Sequence, residues 1–274
     1  MIFQTKIHRN KVSSMFGMLA VTYYAIVHNI RGGHRNAVVG IAIRILQSLI
    51  MVAVFYIMFQ LLGVRTSPIR GDFILYIMSG IFLYMTHVMT VRQISRAGSP
   101  TSAEMLHSPM NTLIAIAAAS FGILYQKLIA ISVMLLGYHL LIMPITIDRP
   151  IGALGMLILA WFTGVAVGLV FMALTPWMPN FIQVLLNLYI RANMIASGKM
   201  FLANSLPASK LELFDWNPLF HIIDQARGFV FLHYTPMNSS IGYAVIVSIV
   251  ILFIGLMGEF FTRKQASLSW FAGR

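Results

Sequence analysis

Three basic residues stand inside otherwise uncharged apolar stretches: Arg44, Lys127 and Arg191. A cation in hydrocarbon is costly unless water, a headgroup, a carbonyl or an anion compensates it, so each is a functional candidate by default. Arg44 lies about two turns into its stretch, where snorkelling to headgroups is a sufficient role. Lys127 follows Gln126 well inside its stretch, and Arg191 lies between Asn187 and Asn193 near the middle of its own. For these two, a polar interior or water-filled path competes with a structural role in which carbonyls and neighbouring amides satisfy the charge. Isolated cations would give a passing polyanion weak, repeated contacts rather than a trap.

Other chemistries are missing. There are no cysteines, which removes disulfides, thiol catalysis and thiolate metal sites. None of the eight histidines forms an HExxH motif or an i,i+4 pair, so no metal site is expected. His221 and Asp224 are three apart, a common spacing that carries no catalytic assignment. No GxxxxGK[ST] occurs; Gly198-Lys199 lacks both the upstream glycine and the following hydroxyl. Hydrolysis of ATP by a P-loop in this chain is therefore excluded, and no catalytic residue is assigned. Only Glu259 among the carboxylates enters a stretch deeply, which disfavours an ion-coupled carrier.

The elements that must position these residues are membrane helices. The chain has 274 residues, 59% apolar and 9% charged, against roughly 25% charged in soluble domains; mean hydropathy is +0.83. So few charges cannot cover a water-facing surface of this mass. The net charge of +12 is then read against a bilayer rather than as a nucleic-acid footprint. The fold class is all-α, a polytopic membrane protein with six transmembrane helices at about 37–62, 72–91, 113–143, 151–175, 181–203 and 241–261. Residues 12–30 have an apolar face of Val12, Phe16, Leu19, Tyr23, Ile26 and Ile30, with cations on both flanks. They read as an interfacial helix on the cytoplasmic leaflet, a seventh span being the alternative. The first apolar run begins near Met15 and ends at Asn29-Ile30-Arg31, not in small residues, so no cleavable signal peptide is expected. The organisation is a cytoplasmic N-terminus over 1–36 and a six-helix domain over 37–274.

Two connecting segments carry structure of their own. In the loop 95–111, Ser99-Pro100-Thr101 offers a helix start, Glu104 complements the first turn and Pro109 ends it. A short helix along the membrane or an ordinary loop both fit. In the outer segment 204–238, Asn217 caps and Pro218 opens a helix with an apolar stripe of Leu219, Ile222, Ile223, Ala226, Phe229 and Val230. His221, Asp224 and Arg227 fall off that stripe. Ser205-Leu206-Pro207 opens a shorter helix toward Trp216. The pair reads as a re-entrant-type hairpin in the outer leaflet, or as a small periplasmic cap. Gly164 and Gly168 form a GxxxG pattern, better suited to packing on a neighbouring helix than to a dimer seam.

This order of elements resembles the membrane subunit of type 2 ABC exporters, most closely those for capsular polysaccharide or O-antigen. Trp216-Asn217-Pro218-Leu219 with Ile223 and Arg227 resembles the family's outer NPL…R segment, and residues 102–112 resemble its coupling helix and entry to the third span. The resemblance implies a homodimer with two copies of a separate ABC ATPase, which binds ATP and Mg while this chain holds no cofactor. Glu104, Met105 and Leu106 would couple to that ATPase. Polysaccharide would pass between the two membrane subunits toward periplasmic and outer-membrane export proteins, with membrane lipids as the surroundings and no nucleic acid. An exporter of O-antigen, lipid or drug with the same architecture is the alternative, and an enzyme or assembly factor outside the ABC class is a third reading.

Charge sets the orientation. Ten cations against two acids lie on the side of the termini, and six against five on the other, so both termini are predicted to lie in the cytoplasm of an inner-membrane protein. Reporter fusions after Arg35 and after Lys210 are expected to read cytoplasmic and periplasmic respectively. A periplasmic signal at Arg35 would refute this topology.

Overall fold

In the computed structural model, residues 11–31, 37–63, 69–97 and 112–272 are described, and the regular elements among them are all helical. They are α1 (Lys11–Arg31), α2 (Ala37–Leu61), α3 (Phe73–Ala97), α4 (Thr112–Leu141), α5 (Pro150–Leu174), α6 (Pro179–Ala196), α7 (Ala208–Leu211), α8 (Pro218–Val230) and α9 (Ile241–Ala272). A 3-10 turn at Ala203–Ser205 precedes α7. Uncharged apolar sequence in hydrocarbon leaves the backbone no water to bond, and the helix satisfies it within the segment. Proline in the first helical positions of α5, α6 and α8 opens three of these helices without losing an intrahelical bond.

The bundle has two distinct ends. At one, the last turn of α1 docks: Gln93 of α3 donates to Asn29 Oδ1 at 2.9 Å and Gln126 of α4 to the Ile30 carbonyl at 3.0 Å. At the other lies α8, whose Phe229 carbonyl accepts from Arg149 N just before α5. Close contacts fix the helix directions. A Cβ built on Gly164 would lie 2.8 Å from the His87 carbonyl, and one on Gly168 2.7 Å from Ile94 Cβ. Both numbers rise together, so α3 and α5 are parallel. Gly255 meets Leu169 and Gly258 meets Ala173 in the same way, so α9 is parallel to α5. The GxxxG pattern is thus spent on contact with α3, where small residues let backbones approach. Three parallel helices require returns between them, and α4 and α6 provide these.

Among the described residues, five helices are long and apolar enough to cross a membrane: α2 to α5 and α9. The predicted fifth span is occupied by α6, which is shorter and broken in hydropathy by Gln183, Asn187, Arg191 and Asn193. It stops at Ala196 instead of running on to 203, because Gly198 takes a left-handed conformation, φ +70°, and reverses the chain. Hydrogen bonds tie α6 to the centre: Tyr84 OH donates to the Ile190 carbonyl at 3.1 Å, and the His87 ring lies 2.8 Å from Tyr189 OH and 3.0 Å from Thr163 Oγ1. α3 is the enclosed centre, with 89% of its apolar window buried, against 22% for α2 and 17% for α9.

The outer segment departs from its prediction. Its first helix is a single turn, α7, followed by turns as far as Trp216. α8 starts where predicted, but its polar side does not face water: His221, Asp224 and Arg227 are buried along with the apolar stripe. Gly168→Leu, which drives a side chain into Ile94, is expected to destabilise the chain by about 1–3 kcal/mol or more. Gly155→Leu, with nothing within 4 Å, is expected to be tolerated. Thermal unfolding of the detergent-solubilised variants measures the difference.

Candidate translocation site

Lys127 stands in the middle of α4, a helix that packs on α1, α2 and α3. It is only 2% exposed, and its Nζ has no hydrogen-bond partner among the described residues. Beside it, Gln126 uses its amide nitrogen on Ile30 but leaves Oε1 without a partner. Arg44 of α2 is close enough to repel the Lys127 ammonium, and its own contact, Nη1 to Gln47 Oε1, is long at 3.4 Å. Buried donors are almost always paired, so this two-cation locus is electrostatically incomplete. Its chemistry is the attraction of an anionic group.

Arg191 stands apart on α6, which packs on α3 and α5. It lies on the outer surface of the chain. Val184, Leu188 and Ile195 of the same helix face are 64%, 59% and 63% exposed, and Asn187 joins them. The stripe therefore presents apolar surface, an amide and one cation outward. The structure brings Arg44 and Lys127 together and leaves Arg191 on a different face.

Asn217, Pro218 and Arg227 form one clamp. Asn217 Oδ1 accepts from Leu219 N at 3.0 Å and caps α8, while its Nδ2 donates to Asn193 Oδ1 at 2.9 Å and to the Ala196 carbonyl at 3.0 Å. The same residue thus starts α8 and satisfies the end of α6. Arg227 is fully buried. Its Nη1 donates to the Gly198 and Phe201 carbonyls at 3.0 and 2.6 Å, and its Nη2 to the Lys199 carbonyl at 2.6 Å. Its guanidinium lies 4.4 Å from the Tyr76 ring centre. Gly80 of α3 admits this arrangement, since a Cβ there would sit 2.9 Å from the Lys199 carbonyl and 3.0 Å from Arg227 Nη2.

The rest of the polar side of α8 holds the outer loops. Asp224 accepts from Tyr234 OH, from Ser239 Oγ at 2.7 Å and from Ala203 N at 3.4 Å. Burial, then the bond to the Asp224 carboxylate, pushes the Tyr234 hydroxyl above the usual phenol range, so it stays a donor. His221 takes the tautomer set by its partners: Nε2 donates to the Asp215 carbonyl and Nδ1 accepts from Ser240 N.

Lys199 corrects the charge count of the outer side. It is 2% exposed, not in water, with Nζ 3.4 Å from the centre of the Tyr84 ring and 4.7 Å from that of Phe55. Sequence reasoning missed this cage, and His87 with it. Their partners lie on other helices, and no local spacing signals them. Glu104, Met105 and Leu106 lie outside the described residues; of the loop 95–111, only residues 95–97 are described, and they end α3.

Replacing Arg227 by Met removes three hydrogen bonds and leaves the Lys199 and Phe201 carbonyls without a donor among the described residues, while the Gly198 carbonyl keeps Phe201 N; a loss of at least about 3 kcal/mol is expected. Lys199→Met is a swap of similar volume at an ammonium with no hydrogen bond, and a change within about 1.5 kcal/mol is expected. Unfolding midpoints in detergent separate the two.

The sequence profile of the ABC-2 type transporter family matches residues 23–231. The match starts within α1 and ends just after α8, so it takes in both the Lys127 locus and the Arg227 clamp. Two proteins from Escherichia coli, each described as polysialic acid transport protein KpsM, are 31% and 30% identical over 117 residues. These alignments cover 41% of this chain and 45% of each relative, so less than half the length of the relatives is spanned. With most of its length under the family profile and an all-helical bundle of apolar spans, the chain belongs to the ABC-2 type transporter family.

Proposed function

We propose that this chain is the membrane subunit of an ATP-driven exporter that moves an acidic polysaccharide outward across the inner membrane. Family membership supplies the class, because ABC-2 proteins are transporter membrane subunits and work with an ABC ATPase. The single observation that carries the cargo class is the uncompensated charge: Lys127 buried without a partner beside Arg44, and Arg191 on an outward stripe. The name of the Escherichia coli relatives, polysialic acid transport protein, supports the same class, since polysialic acid is an acidic polymer.

In this reading six helices cross the bilayer, with α6 as the fifth. Its 18 residues give about 27 Å, close to the roughly 30 Å of a hydrocarbon core. The alternating helix directions support this reading, in which both termini lie on the α1 side, the cytoplasm. α1 lies in the interface there. A second copy of the chain covers the outward stripe of α6, and polymer passes between the copies. Arg44 and Lys127 are met first, near α1, and Arg191 later, toward α8. The loop 95–111, through Glu104, Met105 and Leu106, receives the stroke of the ATPase.

Lys127→Gln and Arg191→Gln test the proposal in cells carrying the ATPase. Each is expected to lower export by about tenfold or more while the assembled complex still hydrolyses ATP. Normal export by both assembled variants refutes the acidic-cargo reading and favours a neutral or lipid cargo.

A further inference from the structure

Away from the proposed conduit, two adjoining cavities between α4 and α5 share the walls Leu75, Ile147 and Val230 and are treated together as one recess. Both helices pack on α3 but barely touch each other, so a gap remains along the bundle toward the α8 end. The inner chamber has a volume of about 250 Å³ and is almost wholly apolar, with Phe82, Ile131, Leu135 and Leu157 among its walls. Ser132 of α4 and Leu154 of α5 line it and are exposed, which marks the side open to lipid. The outer chamber has a volume of about 480 Å³ and carries Arg70, Asp72, Asp148 and His233. The outer volume lies within the range for small-ligand sites, about 300–1,000 Å³, and the inner one just below it.

The charges at the mouth narrow the occupant. Asp72 is committed locally, since its Oδ1 accepts from Ile74 N at 2.8 Å. Asp148 pairs with its exposed neighbour Arg149 at 3.4 Å. Arg70 is exposed and makes no ion pair among the described residues. An apolar slot that opens to hydrocarbon at one end and to both a cation and an acid at the other matches an acyl chain joined to a headgroup with both signs of charge.

We propose that this recess binds one zwitterionic phospholipid of the leaflet at the α8 end. The acyl chain fills the slot between α4 and α5. Arg70 holds the phosphate, and Asp148 holds the headgroup ammonium. Bound there, the lipid bridges the start of α3, the α4–α5 connection and the end of α8. The proposal requires only that the chain spans a membrane and is independent of the cargo.

Native mass spectrometry of the delipidated full chain, with added dioleoylphosphatidylethanolamine or dioleoylphosphatidylglycerol, tests it. One phosphatidylethanolamine per chain is expected to be retained, about tenfold more tightly than phosphatidylglycerol. Ser132→Trp plugs the slot from an exposed position and is expected to abolish retention. Arg70→Gln, a surface change that leaves folding intact, is expected to weaken both lipids by about tenfold through loss of a charge-assisted contact. Asp148→Asn is expected to erase the preference between them. Equal retention by the wild type and Ser132→Trp overturns the proposal. So does phosphatidylglycerol held as well as phosphatidylethanolamine by the wild type, or occupation of the recess by a second copy of the chain or by a non-phospholipid adduct.

Discussion

A backbone that reverses direction inside an apolar bundle exposes carbonyls that no helix satisfies, and Arg227 takes up three of them. Every buried polar group in hydrocarbon needs an internal partner. α6 ends at Ala196, the chain turns at Gly198, and the segment up to Phe201 carries carbonyls that face inward. A guanidinium suits this role because its donors form a planar fork and its charge persists when buried. Tyr76 and Gly80 of α3 then meet the clamp from the other side. Through it, the end of α6, the length of α8 and the central helix are held as one unit.

The same need explains why α8 is buried on both sides. An amphipathic helix at a surface would turn His221, Asp224 and Arg227 to water. Here each is paired with a loop around it: Asp224 with Tyr234 and Ser239, His221 with Asp215 and Ser240. The polar side of α8 is the inner lining of the outer cap. Its apolar side joins the core cluster that includes α3 and α5. Close glycine contacts do the corresponding work inside the bundle, where α3, α5 and α9 lie against one another in parallel.

The buried cations fall into two kinds. Arg227 is bonded and Lys199 is caged by aromatic faces, so both are part of the framework. Lys127 is as deeply buried, yet among the described residues its ammonium has neither bond nor cage, and Arg44 adds charge of the same sign nearby. Arg191 is exposed and faces outward. In an apolar setting, uncompensated charge is a standing attraction for an anion. That contrast, and not the mere presence of cations in apolar sequence, distinguishes positions available to cargo from positions that hold the fold.

Hydropathy and charge scarcity determined, without any coordinates, that the chain is a helical membrane protein and roughly where its long helices lie, because the bilayer allows few alternatives to apolar helices. Local chemistry also determined the start of α8, since Asn217 and Pro218 act on the residues next to them. The close contact made by Gly164 and Gly168 was legible as a pattern, although its partner was not. Tertiary structure alone decided the rest. Arg227 finds its acceptors 26 to 29 residues away, and Lys199 finds its rings on α2 and α3. Periodicity therefore showed only that Arg227 falls off the apolar stripe, and the charge count included Lys199 among the six cations of the outer side. Likewise, three cations set in apolar sequence become one buried (Lys127), one half-buried (Arg44) and one exposed (Arg191), because burial depends on which helices pack around a residue and not on the residues beside it in the chain.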